Sequence, residues 1–502
     1  MNYLETHILE SLIYLPMLTA LVLILLPNGR QDQVRQISII SSFLLLLGSL
    51  YVFIIFDHSP SAAPFQMERT YPWVEQLGIS IRLGVDGLAV PMVVLTGLVA
   101  FTGVLISWNI ERESKNFFVL FFLLVAGVYG TFISVDLFFF FFFYELAVVP
   151  MYLLIGVWGS SSSFATFVRT KEYSAMKLTI YLVAGSVLVW IGIIAIYVSA
   201  GAETFDIRAL QEASQNGALD TNFQRIIFPL IMIGFGALAG LWPFHTWSPD
   251  GHVAAPTAVS MLHAGVLMKL GAFGIIRVGL TLLPAGMEDW ALVLFVLATI
   301  NVLYGAFSAM AQTDLKYVIG YSSVSHMGYV LMGIATLEHL GLSGANLQMF
   351  SHGVMTALFF AVVGAIYERT HVRDIGILNG LAKRMRFTTI FFVLAGLASL
   401  GLPGLSGFIA EVLVFMGAFR TEPILAVFGV IGVAITAVYI LRLVARVFFG
   451  PLNKQWDHIP DMSKREIVAA SILAVPIVFI GVYPQPFLQV IDSGITELLS
   501  GI

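Results

Sequence analysis

Apolar residues along this chain gather into long blocks separated by short polar connections. Each block holds roughly 20 residues, the length that crosses a bilayer core of about 30 Å at 1.5 Å per residue. About fourteen such segments can be read off. The first three lie near 8–26, 37–56 and 84–107. The next five lie near 117–134, 136–158, 174–199, 226–248 and 257–283. The last six lie near 290–309, 311–336, 347–368, 388–417, 424–449 and 467–491. Lipid leaves an open backbone no partner, so the segments are expected to be helices. A β-barrel would show alternating strands of about ten residues, and no such pattern occurs. The loops 57–83 and 200–225 carry Pro, Gly, Asn and charge and read as surface turns.

Composition agrees with the pattern. Of 502 residues, 58% are hydrophobic and 11% charged, where a soluble domain carries about a quarter charged. The net charge of -5 gives no reason to expect nucleic acid. Cysteine is absent, which excludes disulfides, thiolate-ligated iron–sulfur clusters and cysteine nucleophiles in this chain. The block from Ile8 to Leu26 lacks a basic leading region and a small-residue cleavage site, so it reads as a retained first helix.

Charge also suggests orientation. One set of loops holds Arg30, Arg35, Arg112, Lys115, Arg169, Lys171, Arg369, Arg373, Lys383, Arg384, Arg386, Lys454, Lys464 and Arg465. The opposite set holds only Arg69, Arg82, Arg208, Arg225 and Arg420. Basic loops stay cytoplasmic, which places both termini outside.

Two segments are interrupted. The seventh carries Gly240-Leu241-Trp242-Pro243-Phe244-His245, and the twelfth Gly401-Leu402-Pro403-Gly404-Leu405-Ser406-Gly407. Breaks at matching positions point to inverted repeats, here segments 4–8 and 9–13, with the site at the breaks. The alternative is two ordinary proline kinks. The repeat reading divides the chain into helices 1–3 (1–116), a first repeat (117–283), a second repeat (290–449) and a C-terminal loop with helix 14 (450–502). His245 and His252 flank the first break and the turn Ser248-Pro249-Asp250-Gly251. They read as structural, satisfying backbone that the break frees.

Charged residues inside the apolar segments carry the chemistry. Glu145 lies nine residues past Asp136, about 13 Å into its helix. Lys269 sits near the centre of segment 8, and Glu411 follows the second break. Each costs about 2.5–3.5 kcal/mol on insertion scales, so each demands a partner, a wet cavity or a role. A structural ion pair is the plain reading and a proton path the functional one. Lys177 is only about 9 Å deep and could snorkel to the interface. Lys316 opens segment 10 beside Asp314 and reads as interfacial, with a possible part in passing protons to the cytoplasmic side. His263, His326 and His352 fall in segments 8, 10 and 11. Imidazole exchanges a proton near neutrality, so with Lys269 and Glu411 nearby they form a candidate relay. No HExxH or paired metal-ligand spacing occurs, and no Gly-rich phosphate loop follows a strand.

At this point the motifs resemble a known family. The run Phe244 to Asp250, continuing through Ala255-Pro256-Thr257, is similar to the segment 7–8 motif of antiporter-like subunits of respiratory complex I. The runs Asp314 to Gly328 and Gly401 to Phe408 are similar to that family too, and the resemblance covers essentially the whole chain. An acid at Glu411, and no long C-terminal lateral helix, resemble the M-like, ND4-like type. The resemblance implies a fourteen-helix proton-translocating module in the membrane arm of an NADH:quinone-type oxidoreductase, in the bacterial cytoplasmic membrane. It implies Glu145 as the segment 5 glutamate, Lys269 as the central lysine, His326 as a linking residue and Glu411 as the terminal acid. It also implies L-like and N-like neighbours, with NADH or another donor, iron–sulfur clusters and quinone in partner subunits and no cofactor in this chain.

One departure stands out. The family places a lysine in segment 7 seven residues before the motif histidine, which here is Leu238. Glu145 therefore lacks its expected partner, and Lys177 or His263 is the candidate substitute. Two rival readings share the motifs: a subunit of a multisubunit cation/proton antiporter or membrane-bound hydrogenase, and a membrane scaffold that no longer pumps.

Overall fold

A computed structural model describes residues 3–163 and 168–500. Thirteen helices among them are long and apolar enough to cross a membrane. Segments 1 to 6 are Tyr3–Leu25, Gln31–Ile55, Ala89–Ile106, Ser114–Ile133, Leu137–Trp158 and Lys171–Ala200. Segment 7 is Thr221–Ala239 followed, after a break, by Trp247–Ala254. Segments 8 to 11 are Thr257–Leu280, Pro284–Ala311, Leu315–Ala335 and His339–Thr370. Segment 12 is two half-helices, Arg386–Ser399 and Ser406–Thr421. Segments 13 and 14 are Pro423–Phe448 and Lys464–Val482. The chain is an all-α integral membrane protein.

Segments 3, 8 and 11 are buried all round and form the centre. Helices hydrophobic on every face belong there. Segments 1, 2, 6, 9, 13 and 14 keep exposed apolar stripes such as Ile180, Val187 and Ile191 of segment 6. Close packing depends on small residues where backbones meet. A Cβ on Gly271 of segment 8 would lie 2.4 Å from the Phe235 carbonyl oxygen and 2.5 Å from the Ala239 nitrogen. Gly271→Leu is therefore expected to force segments 7 and 8 apart, at about 1–3 kcal/mol or more. A thermal-stability scan of the solubilised complex checks this: an unchanged midpoint contradicts it.

Five local expectations need correction. The loop 57–83 is not a run of turns: Gln66–Val74 and Ile79–Val85 form an antiparallel hairpin. Pro72 and two register irregularities hide its alternation. The strand delays segment 3, which starts at Ala89 rather than near 84, where the Asp86 carboxylate accepts the Ala89 N–H at 2.9 Å. The loop 200–225 contains a helix, Ile207–Gln215, whose N-cap is Asp206. The turn expected at Ser248–Gly251 is helical, since Pro249 falls in the first turn of Trp247–Ala254, where its missing N–H costs nothing. The span expected over 467–491 ends at Val482, and a separate amphipathic helix, Gln485–Ser500, follows Pro484.

The two breaks are built alike. Gly240 and Gly401 adopt left-handed φ of 79° and 70°. The next N–H in each case reaches back five residues, Leu241 to Gly236 at 2.8 Å and Leu402 to Leu397 at 3.0 Å. This is the Schellman ending of a helix that glycine permits. A second local pattern recurs. Asp136 and Asp314 cap segments 5 and 10, and each bridges a residue after the following segment, Asp206 and Asp374. The flanking bonds match: Leu137 N–H to Phe205 O at 2.8 Å, and Leu315 N–H to Arg373 O at 2.9 Å. Burial raises both capping carboxyls, Asp136 to about 6.

Candidate functional site

Segment 8 is not a regular helix where it carries its lysine. A π turn over His263–Leu267 precedes Lys269, and another spans Ile275–Leu280. Such turns re-aim side chains and concentrate at functional positions. Lys269 is fully buried. Its Nζ donates to the Ala264 carbonyl and meets His352 Nδ1 at 2.9 Å.

The contacts continue through segments 11, 10 and 12. The His352 and His326 rings stack at 5.3 Å between centroids. His326 Nδ1 lies 3.5 Å from Glu411 Oε1 and 3.4 Å from Gln348 Nε2. His326 Nε2 lies 2.9 Å from Ser399 Oγ. This set suits either protonation state. A bare Nδ1 accepts from the Gln348 amide, and a protonated Nδ1 donates to the Glu411 carboxylate. Glu411 reaches this position because residue 401 is glycine: a Cβ there would lie 2.6 Å from Glu411 Oε2.

On the other side of Lys269, His263 packs on His252 with ring centroids 4.1 Å apart and stacks on Trp247 at 5.2 Å. The His252 Nε2 meets Ser248 Oγ at 3.0 Å. Lys269, His352, His326 and Glu411 thus lie in one buried series, with His263 and His252 packed on each other nearby. His252 lies beside the series because the helix at Trp247–Ala254 turns its ring onto His263.

Other expected residues stand elsewhere. Lys316 is 3% exposed and buried against protein. Its ammonium caps the C-terminal end of Trp247–Ala254, donating to Ala255 O at 2.9 Å and Val253 O at 3.4 Å. Lys177 does not snorkel: its Nζ pairs with Asp250 Oδ2 at 2.9 Å. Asp250 also accepts from Arg169 and, at 3.0 Å, from the Tyr317 hydroxyl. Lys177 is therefore committed to Asp250 and does not replace the missing partner of Glu145. His263 does not replace it either, being enclosed by His252 and Trp247. Glu145 is half-buried and faces Ser186 of segment 6. Its Oε1 has no partner among the described residues, and Leu238 is buried as an apolar residue.

His245 does not satisfy the backbone at the break. Neither ring nitrogen has a partner among the described residues, and the ring packs edge-on against Tyr304 at 4.8 Å. Asn301 of segment 9 does that work instead. Its Oδ1 accepts the Trp242 N–H at 2.5 Å, and its Nδ2 donates to the Gly240 carbonyl at 2.9 Å. A side-chain amide offers a donor and an acceptor on one short group, which suits an N–H and a carbonyl two residues apart. A lone Asn in an apolar span was the only signal for it. Pro243 and Pro403 lie in the breaks, as expected.

Comparisons with known proteins agree with this geometry. The family described as NADH:quinone oxidoreductase/Mrp antiporter, TM matches residues 134–436, which hold both breaks and the whole buried series. NADH-quinone oxidoreductase subunit M of Rickettsia prowazekii is 35% identical over 501 residues, 99% of each chain. NAD(P)H-quinone oxidoreductase chain 4 1 of Synechococcus elongatus is 38% identical, over 98% of this chain and 92% of the relative. A chain of respiratory complex I from Thermus thermophilus with bound NADH superposes with a TM-score of 0.87 at 26% identity, covering 98% and 99%. The Mrp complex of Dietzia sp. DQ12-45-1b has the same fold, with a TM-score of 0.85 at 20% identity, covering 99% and 98%. With long motifs, breaks and full-length relatives in agreement, this chain belongs to the NADH:quinone oxidoreductase/Mrp antiporter membrane-subunit family.

Proposed function

We propose that this chain is the M-like proton-translocating subunit in the membrane arm of an NADH:quinone-type oxidoreductase. The relatives of 35% and 38% identity over nearly the whole chain carry that oxidoreductase's name. The observation that carries the mechanism is the buried series Lys269–His352–His326–Glu411, with a 2.9 Å contact, two rings stacked at 5.3 Å between centroids and a 3.5 Å approach. Lys269 takes a proton from the His263 side and gives it to His352. No ring nitrogen of His352 contacts one of His326 among the described residues, so the step between the stacked rings needs a bridging water; His326 then passes the proton to Glu411 by exchanging its Gln348 contact for the carboxylate. Lys177 is held by Asp250 and Lys316 by two carbonyls. Electron transfer takes place in partner subunits, which hold the iron–sulfur clusters and quinone. Without cysteine, this chain offers no thiolate ligands for an iron–sulfur cluster.

The matched breaks and the matched Asp136–Asp206 and Asp314–Asp374 bridges support reading segments 4–8 and 9–13 as inverted repeats. The basic loops support both termini on the outer side of a bacterial cytoplasmic membrane. L-like and N-like subunits are the expected neighbours. The antiporter reading rests on likeness of fold, and the full-length relatives favour the oxidoreductase.

Glu411→Gln tests the proposal. The amide keeps the shape and can still contact His326, but cannot take up the proton. Proton transfer through this chain should slow by roughly 10²–10⁴, the range for loss of a positioned proton acceptor, and proton uptake by membrane vesicles during NADH oxidation should fall accordingly. Undiminished uptake in an assembled complex would remove Glu411 from the path.

A further inference from the structure

Arginines inside the long apolar helices are paired with a carboxylate or an aromatic ring, with two exceptions. Arg35 contacts Asp32, Arg225 contacts Asp289, Arg277 contacts Asp86 and Arg369 contacts Glu466. Arg465 lies over Trp108 at 4.1 Å. Arg442 and Arg446 of segment 13 contact no carboxylate and no ring among the described residues. Both are exposed.

Their placement is specific. They stand four residues apart, so they share one helix face. Arg442 lies six residues before the helix end at Phe448, about 9 Å inside it, and Arg446 only about 3 Å. Together they border a groove of about 110 Å³ between segments 9 and 13, with Gln312 and Thr313 on the facing wall. Deeper along segment 13 the exposed surface is wholly apolar, with Val438 56%, Ile431 43% and Ile424 73% exposed. Asp374 also borders the groove; its Oδ1 accepts the Gly376 N–H at 2.7 Å. Two guanidinium groups against one carboxylate leave the groove cationic.

We infer that the groove between segments 9 and 13 binds the phosphodiester headgroup of an anionic phospholipid, with its acyl chains along the exposed face of segment 13. A guanidinium turned toward hydrocarbon is costly unless neutralised, and its planar fork matches phosphate oxygens. Charge confined to one level above an unbroken apolar row is the pattern of a lipid, with one charged head and long tails. A protein partner seated there would need carboxylates at the same depth. Basic pockets at helix ends are recognised sites for acidic lipid heads. The inference does not require the proton path.

The test uses the assembled complex in phosphatidylcholine vesicles doped with a photoactivatable phosphatidylglycerol. The probe should label peptides spanning 307–313 and 438–446. Labelling should fall at least about tenfold in Arg442→Gln/Arg446→Gln, in line with losing two charge-assisted contacts. Excess inorganic phosphate should not compete, because it lacks the chains. A photoactivatable phosphatidylcholine should label these peptides far less, a comparison that needs no variant. Equal labelling by both lipids, unchanged labelling in the double variant, competition by phosphate, or crosslinking of the groove to a neighbouring subunit in place of lipid would each overturn the inference.

Discussion

Replacing Lys269 with arginine is expected to leave the complex assembled and to stop proton transfer through this chain. Arginine keeps the positive charge and nearly the length, so it can still donate to the Ala264 carbonyl and to His352. It cannot release its proton, because a guanidinium stays charged under all ordinary conditions. A structural ion pair would be rescued by this substitution, and a relay would not. Lys269→Ala removes both the proton carrier and the link between His263 and His352, and should fail equally in transfer. In membrane vesicles oxidising NADH, both variants should lose most of the proton uptake assigned to this subunit. Loss of a positioned acid–base group spans about 10²–10⁴ in rate, so the defect should be unmistakable. If Lys269→Arg pumps normally while Lys269→Ala does not, Lys269 is a structural charge and the relay fails.

Asp250→Leu is expected to have the largest effect on folding and assembly. Asp250 is almost fully buried and is shared by Lys177 at 2.9 Å, by Arg169 and by the Tyr317 hydroxyl at 3.0 Å. Removing one member of a buried pair leaves the others uncompensated, at about 3–5 kcal/mol. The side chains of Arg169 and Lys177 retain 27% and 19% exposure, so the cost should fall at the lower end. A loss of even that size compares with the whole stability of many domains, and the amount of assembled complex on native gels should drop sharply. Adding Lys177→Met should restore part of it, since one unpaired cation is removed. No recovery in the double variant would mean that the two residues do not share their energy.

How much of this was legible beforehand depends on the kind of residue. Glu145, Lys269 and Glu411 stand out in sequence because a charge in an apolar block is expensive wherever the helix ends up. The two breaks stand out because Gly and Pro constrain the backbone locally. His326 and His352 were legible only as members of a group. Asn301 was not, since one amide in an apolar span has no local signature and its targets, the Trp242 N–H and Gly240 carbonyl, lie about 60 residues away.

Pairings behave in the same way. Nothing near Lys177 in sequence names Asp250 as its partner, and depth counted along a helix suggested snorkelling instead. Nothing near Lys316 in sequence shows that the end of Trp247–Ala254 covers it. The hairpin at Gln66–Val85 was lost among turn residues because its stability comes from pairing and packing, not from local propensity.

By itself the sequence determined that the chain spans a membrane many times, where its helices break and which charges it buries. Those follow from hydrophobic length, backbone constraints and the cost of a charge in lipid. Only the tertiary structure decided which buried groups touch. It joined Lys269 to Glu411 through two histidines, gave Lys177 to Asp250, and left Glu145 beside Ser186 with Leu238 where a lysine was expected. Contact between distant segments depends on how whole helices pack, and no local pattern carries that information.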